Sequence, residues 1–311
     1  MKLDLPWKAT APMAAAPAAL DALPTVRPAA VPGPRDRSLG AILLDAGLIR
    51  LDDVERILAA QRENGLRFGD AAVKLGLVSE AALKHALAYQ FDYPVLAPGE
   101  APVSREVIAA YEAHHPVLDD LRALRNQILL RWLTAEHQRN RTVAIMGVGR
   151  GEGRTFIAAN LAVTFSQMGQ RTLLIDADLR RGRLHTLFGT PNQQGLGAML
   201  AARNTHNALH RIEGLRDLQV IGTGGEPPNP QDLLSRESFT TLLDGFAGSH
   251  DVVILDTPAA QEGPEAAVIA ARARGVVLVA RKDVTELPAL AALAEQTRAA
   301  GATVIGTVLV S

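Results

Sequence analysis

The chain has 311 residues, a formal net charge of −1 and no cysteine. That length accommodates two domains, one of them a full α/β domain. A charge near zero supplies no global field for nucleic acid or anionic lipid, and the lack of cysteine excludes disulfides, thiolate metal sites and cysteine nucleophiles.

Residues 1 to about 35 are rich in Ala and Pro (APMAAAPAALDALPTVRPAAVPGPR) and carry no sustained apolar period, so they are expected to form a disordered arm. The start meets Asp4, Pro6 and Lys8 at once, which makes a poor signal peptide, and no apolar run approaches the length of a membrane span.

An internal repeat begins at Ser38. Its first copy reads Ser38-Leu39-Gly40-x-x-Leu43-Leu44-x-x-Gly47-Leu48-Ile49, then Val54, Leu58 and Gln61. The second reads Arg67-Phe68-Gly69-x-x-Ala72-Val73-x-x-Gly76-Leu77-Val78, then Leu83, Leu87 and Gln90. Each copy predicts a short helix, a glycine turn and a second helix opening near Asp52 or Ser79 with one apolar face. A small all-helical repeat domain is therefore expected over residues 36–98. Pro98, Pro102 and Pro116 mark a linker over 99–118.

A helix is predicted from about Leu118 to Glu136, with Leu121, Leu124, Ile128 and Leu129 packed inward. Apolar strand candidates follow at Val143–Met146, Thr172–Ile175, Leu218–Ile221, Val252–Leu255, Val276–Val279 and Thr303–Leu309, alternating with helical segments. The pattern predicts, over 119–311, an α/β domain with a mostly parallel sheet covered by helices on both faces, of the P-loop NTPase type.

Chemistry concentrates at three strand ends. After Val143–Met146 comes Gly147-Val148-Gly149-Arg150-Gly151-Glu152-Gly153-Arg154-Thr155, then a helix opening at Phe156. Glycines let backbone N–H groups turn inward around an anion, and the helix N-terminus adds its positive dipole end. Residues Gly149 to Phe156 are the expected nucleotide-binding loop, with the Thr155 hydroxyl placed for Mg²⁺. Arg154 stands where a P-loop has lysine; guanidinium is bulky and planar, so the exchange is not conservative. Arginine greatly outnumbers lysine along the whole chain, so drift in composition is the plainer explanation. The second end is Asp176-Ala177-Asp178 and the third is Asp256-Thr257-Pro258. Thr155, Asp178 and Asp256 are the expected metal-facing residues, and Asp176 is expected to orient or deprotonate an acceptor. Arg154, Asp176, Asp178 and Asp256 form the candidate catalytic set.

These residues carry a resemblance. Asp176-Ala177-Asp178-Leu179-Arg180-Arg181, Ile254-Leu255-Asp256-Thr257-Pro258 and Pro227-Pro228-Asn229-Pro230-Gln231-Asp232-Leu233-Leu234 resemble the Walker A′, Walker B and proline-rich segments of bacterial tyrosine kinases that govern polysaccharide polymerisation and export, specifically the EpsG-like chain-length determinant kinases. Asp119-x-x-Arg122-x-x-Arg125 resembles that family's E-x-x-R-x-x-R oligomerisation motif, with Asp for Glu. The resemblance spans about Asp119 to Ser311. It implies ATP and Mg²⁺ as cofactors, a homo-oligomer, and a cytoplasmic location at the inner face of the plasma membrane. It also implies a partner, the cytoplasmic part of a membrane chain-length determinant or polysaccharide co-polymerase, and no nucleic acid. Partitioning and division-site ATPases carry a signature lysine where this chain has Gly149, which argues against them.

The helical repeat resembles the MshEN-type domain of secretion and pilus ATPases, in which two 24-residue motifs five residues apart bind cyclic di-GMP. Ser38–Gln61 and Arg67–Gln90 have that spacing. The resemblance implies Leu39, Gly40, Gln61, Arg67, Phe68, Gly69 and Gln90 as ligand-facing, with Ser38 where the motif's first arginine belongs. A duplicated helical hairpin serving only as a docking module is the alternative.

Two classes of function follow. One is an ATP-dependent protein tyrosine kinase; the other is a degenerate nucleotide-binding scaffold of the polysaccharide export machine. Thr155, Asp176, Asp178 and Asp256 favour the first. Arg154 favours the second, as does the lack of the family's tyrosine cluster after the last strand: the tyrosines are Tyr89, Tyr93 and Tyr111, so the acceptor is expected internally or on another protein.

Overall fold

A computed structural model describes residues 3–4, 38–91, 93–97, 99, 101–134, 141–203 and 207–311. Apart from Leu3–Asp4, the Ala- and Pro-rich arm lies outside the described residues. The chain divides into two compact units between Tyr93 and Pro94, with Leu3–Asp4 joining the second.

The smaller unit contains α1 (Leu39–Asp45), α2 (Leu51–Asn64), α3 (Phe68–Lys74) and α4 (Glu80–Gln90). Ile42, Leu43, Ile49 and Ile57 of the first copy meet Ala71, Ala72, Val78 and Ala86 of the second in one core. The copies interlock reciprocally. A Cβ on Gly40 would lie 3.2 Å from Cζ of Phe68, and one on Gly69 would lie 3.3 Å from Cδ2 of Leu39. Ser38 caps α1, its Oγ accepting from the Ala41 N–H at 3.3 Å. Serine at that position thus has a local cause, the unsatisfied donors of a helix start.

The larger unit is a single sheet in the order β1-β8-β7-β2-β6-β3-β5-β4. Its strands are β1 (Leu3–Asp4), β2 (Thr142–Gly147), β3 (Thr172–Asp176), β4 (His210–Ile212), β5 (Leu215–Ile221), β6 (Val252–Asp256), β7 (Gly275–Arg281) and β8 (Thr303–Val310). The pairs from β8 through to β5 are parallel; β1 on β8 and β4 on β5 are antiparallel. The central strands β2, β3 and β6 are buried at every position, which is why they read as continuous apolar runs. Their side chains alternate between two cores. Val143, Ile145, Val252 and Ile254 enter one; Ala144, Met146, Val253 and Leu255 enter the other.

The first core is covered by α5 (Pro116–Arg131), α6 (Arg154–Ser166) and α7 (Leu184–Phe188). The second is covered by α8 (Leu196–Leu200), α9 (Pro230–Ser235), α10 (Glu237–Ser249), α11 (Glu265–Ala273) and α12 (Leu287–Ala299). Trp132 seals the end of α5, its Nε1 donating to the Thr142 carbonyl at 3.0 Å while its indole fills the space above Gly275.

The expected linker 99–118 is corrected. Val103, Val107, Ala109 and Ala110 are buried in the first core, and α5 already begins at Pro116. Two buried side chains near α6 satisfy this irregular backbone. Asn160 accepts from Ala109 N–H at 2.9 Å and donates to the Glu106 carbonyl at 3.0 Å. Gln167 donates to the carbonyls of Pro94 at 2.9 Å and Ala109 at 2.7 Å. Proline marks non-regular backbone, which is a different property from exposure. Among the described residues no helix is long and apolar enough to cross a membrane.

Candidate nucleotide site

The three sequence signals meet at the carboxyl ends of adjacent strands. β2 pairs with β6 and β6 with β3, so the glycine loop, Asp256 and Asp176 fall side by side, where parallel sheets bind ligands. Gly151 and Gly153 turn the loop through φ of +72° and +98°, values costly for a side-chain-bearing residue. Gly147 has no room for more: a Cβ there would sit 2.5 Å from Oε2 of Glu152 and 2.9 Å from the Val279 carbonyl.

Thr155, in the first turn of α6, donates its hydroxyl to Asp256 Oδ2 at 2.7 Å. The other oxygen of Asp256, Oδ1, is buried without a hydrogen-bond partner. Burial pushes the Asp256 carboxyl up to about 6, although the Thr155 hydroxyl and the Arg154 guanidinium draw it down. Such an orphaned acceptor beside a threonine hydroxyl fits a divalent cation. Among the described residues no three acidic or histidine side chains gather into a complete cage. Mg²⁺ suits that arrangement, because it keeps waters and phosphate oxygens in its shell.

Asp176 departs from its expected role as the residue facing an acceptor. It has no exposure. Its Oδ2 accepts from the Leu184 N–H at 2.9 Å and its Oδ1 from the Asp178 N–H at 3.3 Å. It therefore fastens the turn leading into α7, and burial first, then Asp256, holds its carboxyl well above the ordinary range. Asp178 lies nearer the surface, with Oδ1 accepting from the N–H groups of Arg180 at 3.3 Å and Arg181 at 3.1 Å. Its carboxyl is also raised, by burial and then by Glu262, against the pull of the Arg180 N–H.

Arg154 is folded back into the loop. Its Nε donates to the Thr257 carbonyl at 3.1 Å and its Nη1 to the Gly149 carbonyl. Glu152 Oε2 is 3.9 Å away. Glu152 itself is buried, a feature the loop sequence shows only as one acid among glycines. Phe156 packs its ring against the first core, so its backbone alone faces the loop. At the rim, Arg150 and Arg181 share Glu262, Arg180 pairs with Glu265 at 2.6 Å, and Arg183 pairs with Glu106. The basic turn is therefore ion-paired across three elements.

The remaining candidates lie elsewhere. Arg122 donates to Asp119 Oδ1 at 3.0 Å and to the Ala113 carbonyl at 2.6 Å, and Arg125 donates to the Thr164 carbonyl at 2.8 Å. Both arginines thus brace their own domain, while the Asp119 side chain is 81% exposed. In the helical unit, Leu39, Gly40, Phe68 and Gly69 are taken up by the interlock of the two copies, Gln61 and Gln90 are half-buried, and Arg67 is exposed at the start of α3.

Comparison with known proteins places this geometry. The family model described as cellulose biosynthesis protein BcsQ matches residues 140–304, just over half of the chain. A protein of Salmonella typhimurium described as tyrosine-protein kinase wzc is 34% identical over 170 residues, 55% of this chain and 23% of its own length. The chain spans about a quarter of the length of the curated relatives it matches. Among solved structures, the kinase domain of Escherichia coli tyrosine kinase ETK superposes with a TM-score of 0.58 at 32% identity, covering 62% of this chain and 75% of that one. The BceF tyrosine kinase domain gives 0.60 at 28%, covering 75% and 89%.

Proposed function

The chain belongs to the family described as cellulose biosynthesis protein BcsQ, and on that premise we propose that its α/β unit binds a magnesium nucleoside triphosphate and phosphorylates protein tyrosine during bacterial polysaccharide production. One observation carries the reading: Thr155 and Asp256 are hydrogen-bonded at 2.7 Å, with a buried Asp256 oxygen left over beside the glycine loop. The likeness to proteins described as tyrosine kinases supplies the reaction class.

In this proposal the loop amides from Gly149 to Phe156 cradle the phosphates, and Thr155 with Asp256 holds Mg²⁺, which would supply charge neutralisation for phosphoryl transfer. Asp178 takes over the acceptor-facing role expected of Asp176, because it is the raised carboxylate with access to the surface. Asp176 positions the Asp178 turn. The setting is the cytoplasmic face of the plasma membrane, in a homo-oligomer engaged by the cytoplasmic part of a chain-length determinant, where the chain regulates polysaccharide chain length, polymerisation and export. The regulatory half of the proposal assigns cyclic di-GMP to the helical unit, on the spacing of its two copies alone.

The scaffold reading has its own observation: Arg154 is committed to backbone carbonyls within its own loop. Incubation with labelled ATP, Mg²⁺ and a tyrosine-containing acceptor, with and without the membrane partner, separates the two. Phosphotyrosine formation that is lost in Asp256→Ala supports the kinase. Nucleotide binding without transfer under either condition supports the scaffold, and the lack of both overturns the nucleotide site.

A further inference from the structure

We propose that Glu152 is a resident anion of the phosphate loop, which holds Arg154 in a latched position and must be displaced from it by an incoming nucleotide phosphate. The proposal rests on reading the loop as a nucleotide site.

Glu152 is 2% exposed. Its Oε1 accepts from the Thr285 hydroxyl at 2.6 Å, and its Oε2 has no hydrogen-bond partner. A buried carboxylate with a bare oxygen persists where a cation compensates it, because an uncompensated charge in the interior is strongly destabilising. Arg154 supplies that cation, 3.9 Å from the bare oxygen and itself only 9% exposed. The carboxylate two positions earlier thus gives the arginine a reason beyond compositional drift. Guanidinium is a fork, and here one head spans the carbonyls of Gly149 and Thr257 while facing Glu152. A lysine ammonium is a single point and has no such span.

The latch has an anchor outside the loop. Thr285, which holds Glu152, accepts from the Arg281 N–H at 2.8 Å, and Arg281 Nη1 donates to the Gly151 carbonyl at 3.1 Å. The turn between β7 and α12 therefore grips the loop at both Gly151 and Glu152. A polyphosphate arriving here meets a negative charge already in place and a guanidinium already engaged. Like charges at short range in a buried site repel, so the ligand must draw Arg154 away from Gly149 and Glu152.

Calorimetric titration of the full chain with Mg-ATP tests this. Glu152→Gln keeps the shape and the Thr285 contact but removes the charge, and is expected to tighten binding by about tenfold, the size of one charge-assisted contact regained. Glu152→Ser removes the same charge with less volume; it is expected to move in the same direction and replaces the glutamine variant should that one not fold. Thr285→Val loosens the anchor while leaving the charge, and is expected to tighten binding by less than Glu152→Gln does. Equal tightening by Thr285→Val would overturn the charge argument in favour of simple loop loosening. Wild-type binding that Glu152→Gln leaves equal or weaker overturns the latch but not the nucleotide site. Absence of binding in wild type and variants at millimolar Mg-ATP overturns both.

Discussion

Asp176 and Asp256 are partners in register on adjacent parallel strands, and both carboxyls are buried. Asp256 raises the cost of ionising Asp176, and burial, with Asp178 as the nearby like charge, raises the cost of ionising Asp256, so the site is least comfortable when these carboxyls are charged and no cation has arrived. For Asp256 the ordinary value of 3.8 rises to about 6. Between those values the folded protein keeps a proton that the unfolded chain has released. Stability therefore falls as pH climbs through that window and levels off above it, the full change being of order 3 kcal/mol for Asp256. In metal-free buffer the melting temperature of wild type is expected to drop from pH 4 to pH 6. Asp256→Asn should flatten that slope and melt higher than wild type at pH 7. Superimposable profiles would show that this carboxyl is not the strained group.

Thr155 joins the loop to that pair. Thr155→Ala is expected to reduce the Mg²⁺-dependent part of the thermal shift by ATP, while Thr155→Ser retains it, because only the hydroxyl is used. Equal Mg²⁺ dependence in wild type and Thr155→Ala would remove Thr155 from the metal site.

Arg154→Lys is expected to lower stability and to leave phosphate transfer no higher than in wild type. A lysine ammonium is a single donor centre in place of the guanidinium fork whose Nε and Nη1 reach the Thr257 and Gly149 carbonyls separately, and Glu152 is left with a poorer counter-ion. A loss of about 1–3 kcal/mol in denaturant unfolding is anticipated for a buried charge-assisted contact. A gain in transfer rate would instead show that the loop awaits lysine.

Arg125 ties α5 to the end of α6 through the Thr164 carbonyl. Arg125→Ala is thus expected to lower the melting temperature, and its effect on assembly cannot be read without that measurement. Asp119, with its side chain 81% exposed, is the cleaner probe of an interface. Asp119→Arg should shift an oligomeric wild type toward smaller species in light scattering with little change in melting. An unchanged mass distribution would count against the oligomerisation motif.

Titration of the full chain with cyclic di-GMP, using GTP as a control, tests the helical unit. Arg67→Ala is expected to weaken cyclic di-GMP binding by one to two decades, about the value of one charge-assisted contact. Binding no better than GTP would leave the repeat as a docking module.

The parallel α/β layout was legible in the sequence, since strands buried on both faces read as near-continuous apolar runs, and β2, β3 and β6 are buried throughout. The sequence also located the glycine loop and the strand-end aspartates, because backbone turns and carboxylates at strand ends are local properties. It missed the short antiparallel strand His210–Ile212, whose formation depends on pairing along β5 rather than on its own three residues. Which groups are spent depends on long-range packing. Asp176 and Asp178 are two residues apart in one motif, yet the fold buries the first against Leu184 and leaves the second near the rim. Glu152 appeared as an ordinary loop acid until Thr285, far along the chain, closed over it. Burial and partnership are set by contacts distant in sequence, and those contacts fix whether a charged group binds a ligand, holds a turn or waits for a cation.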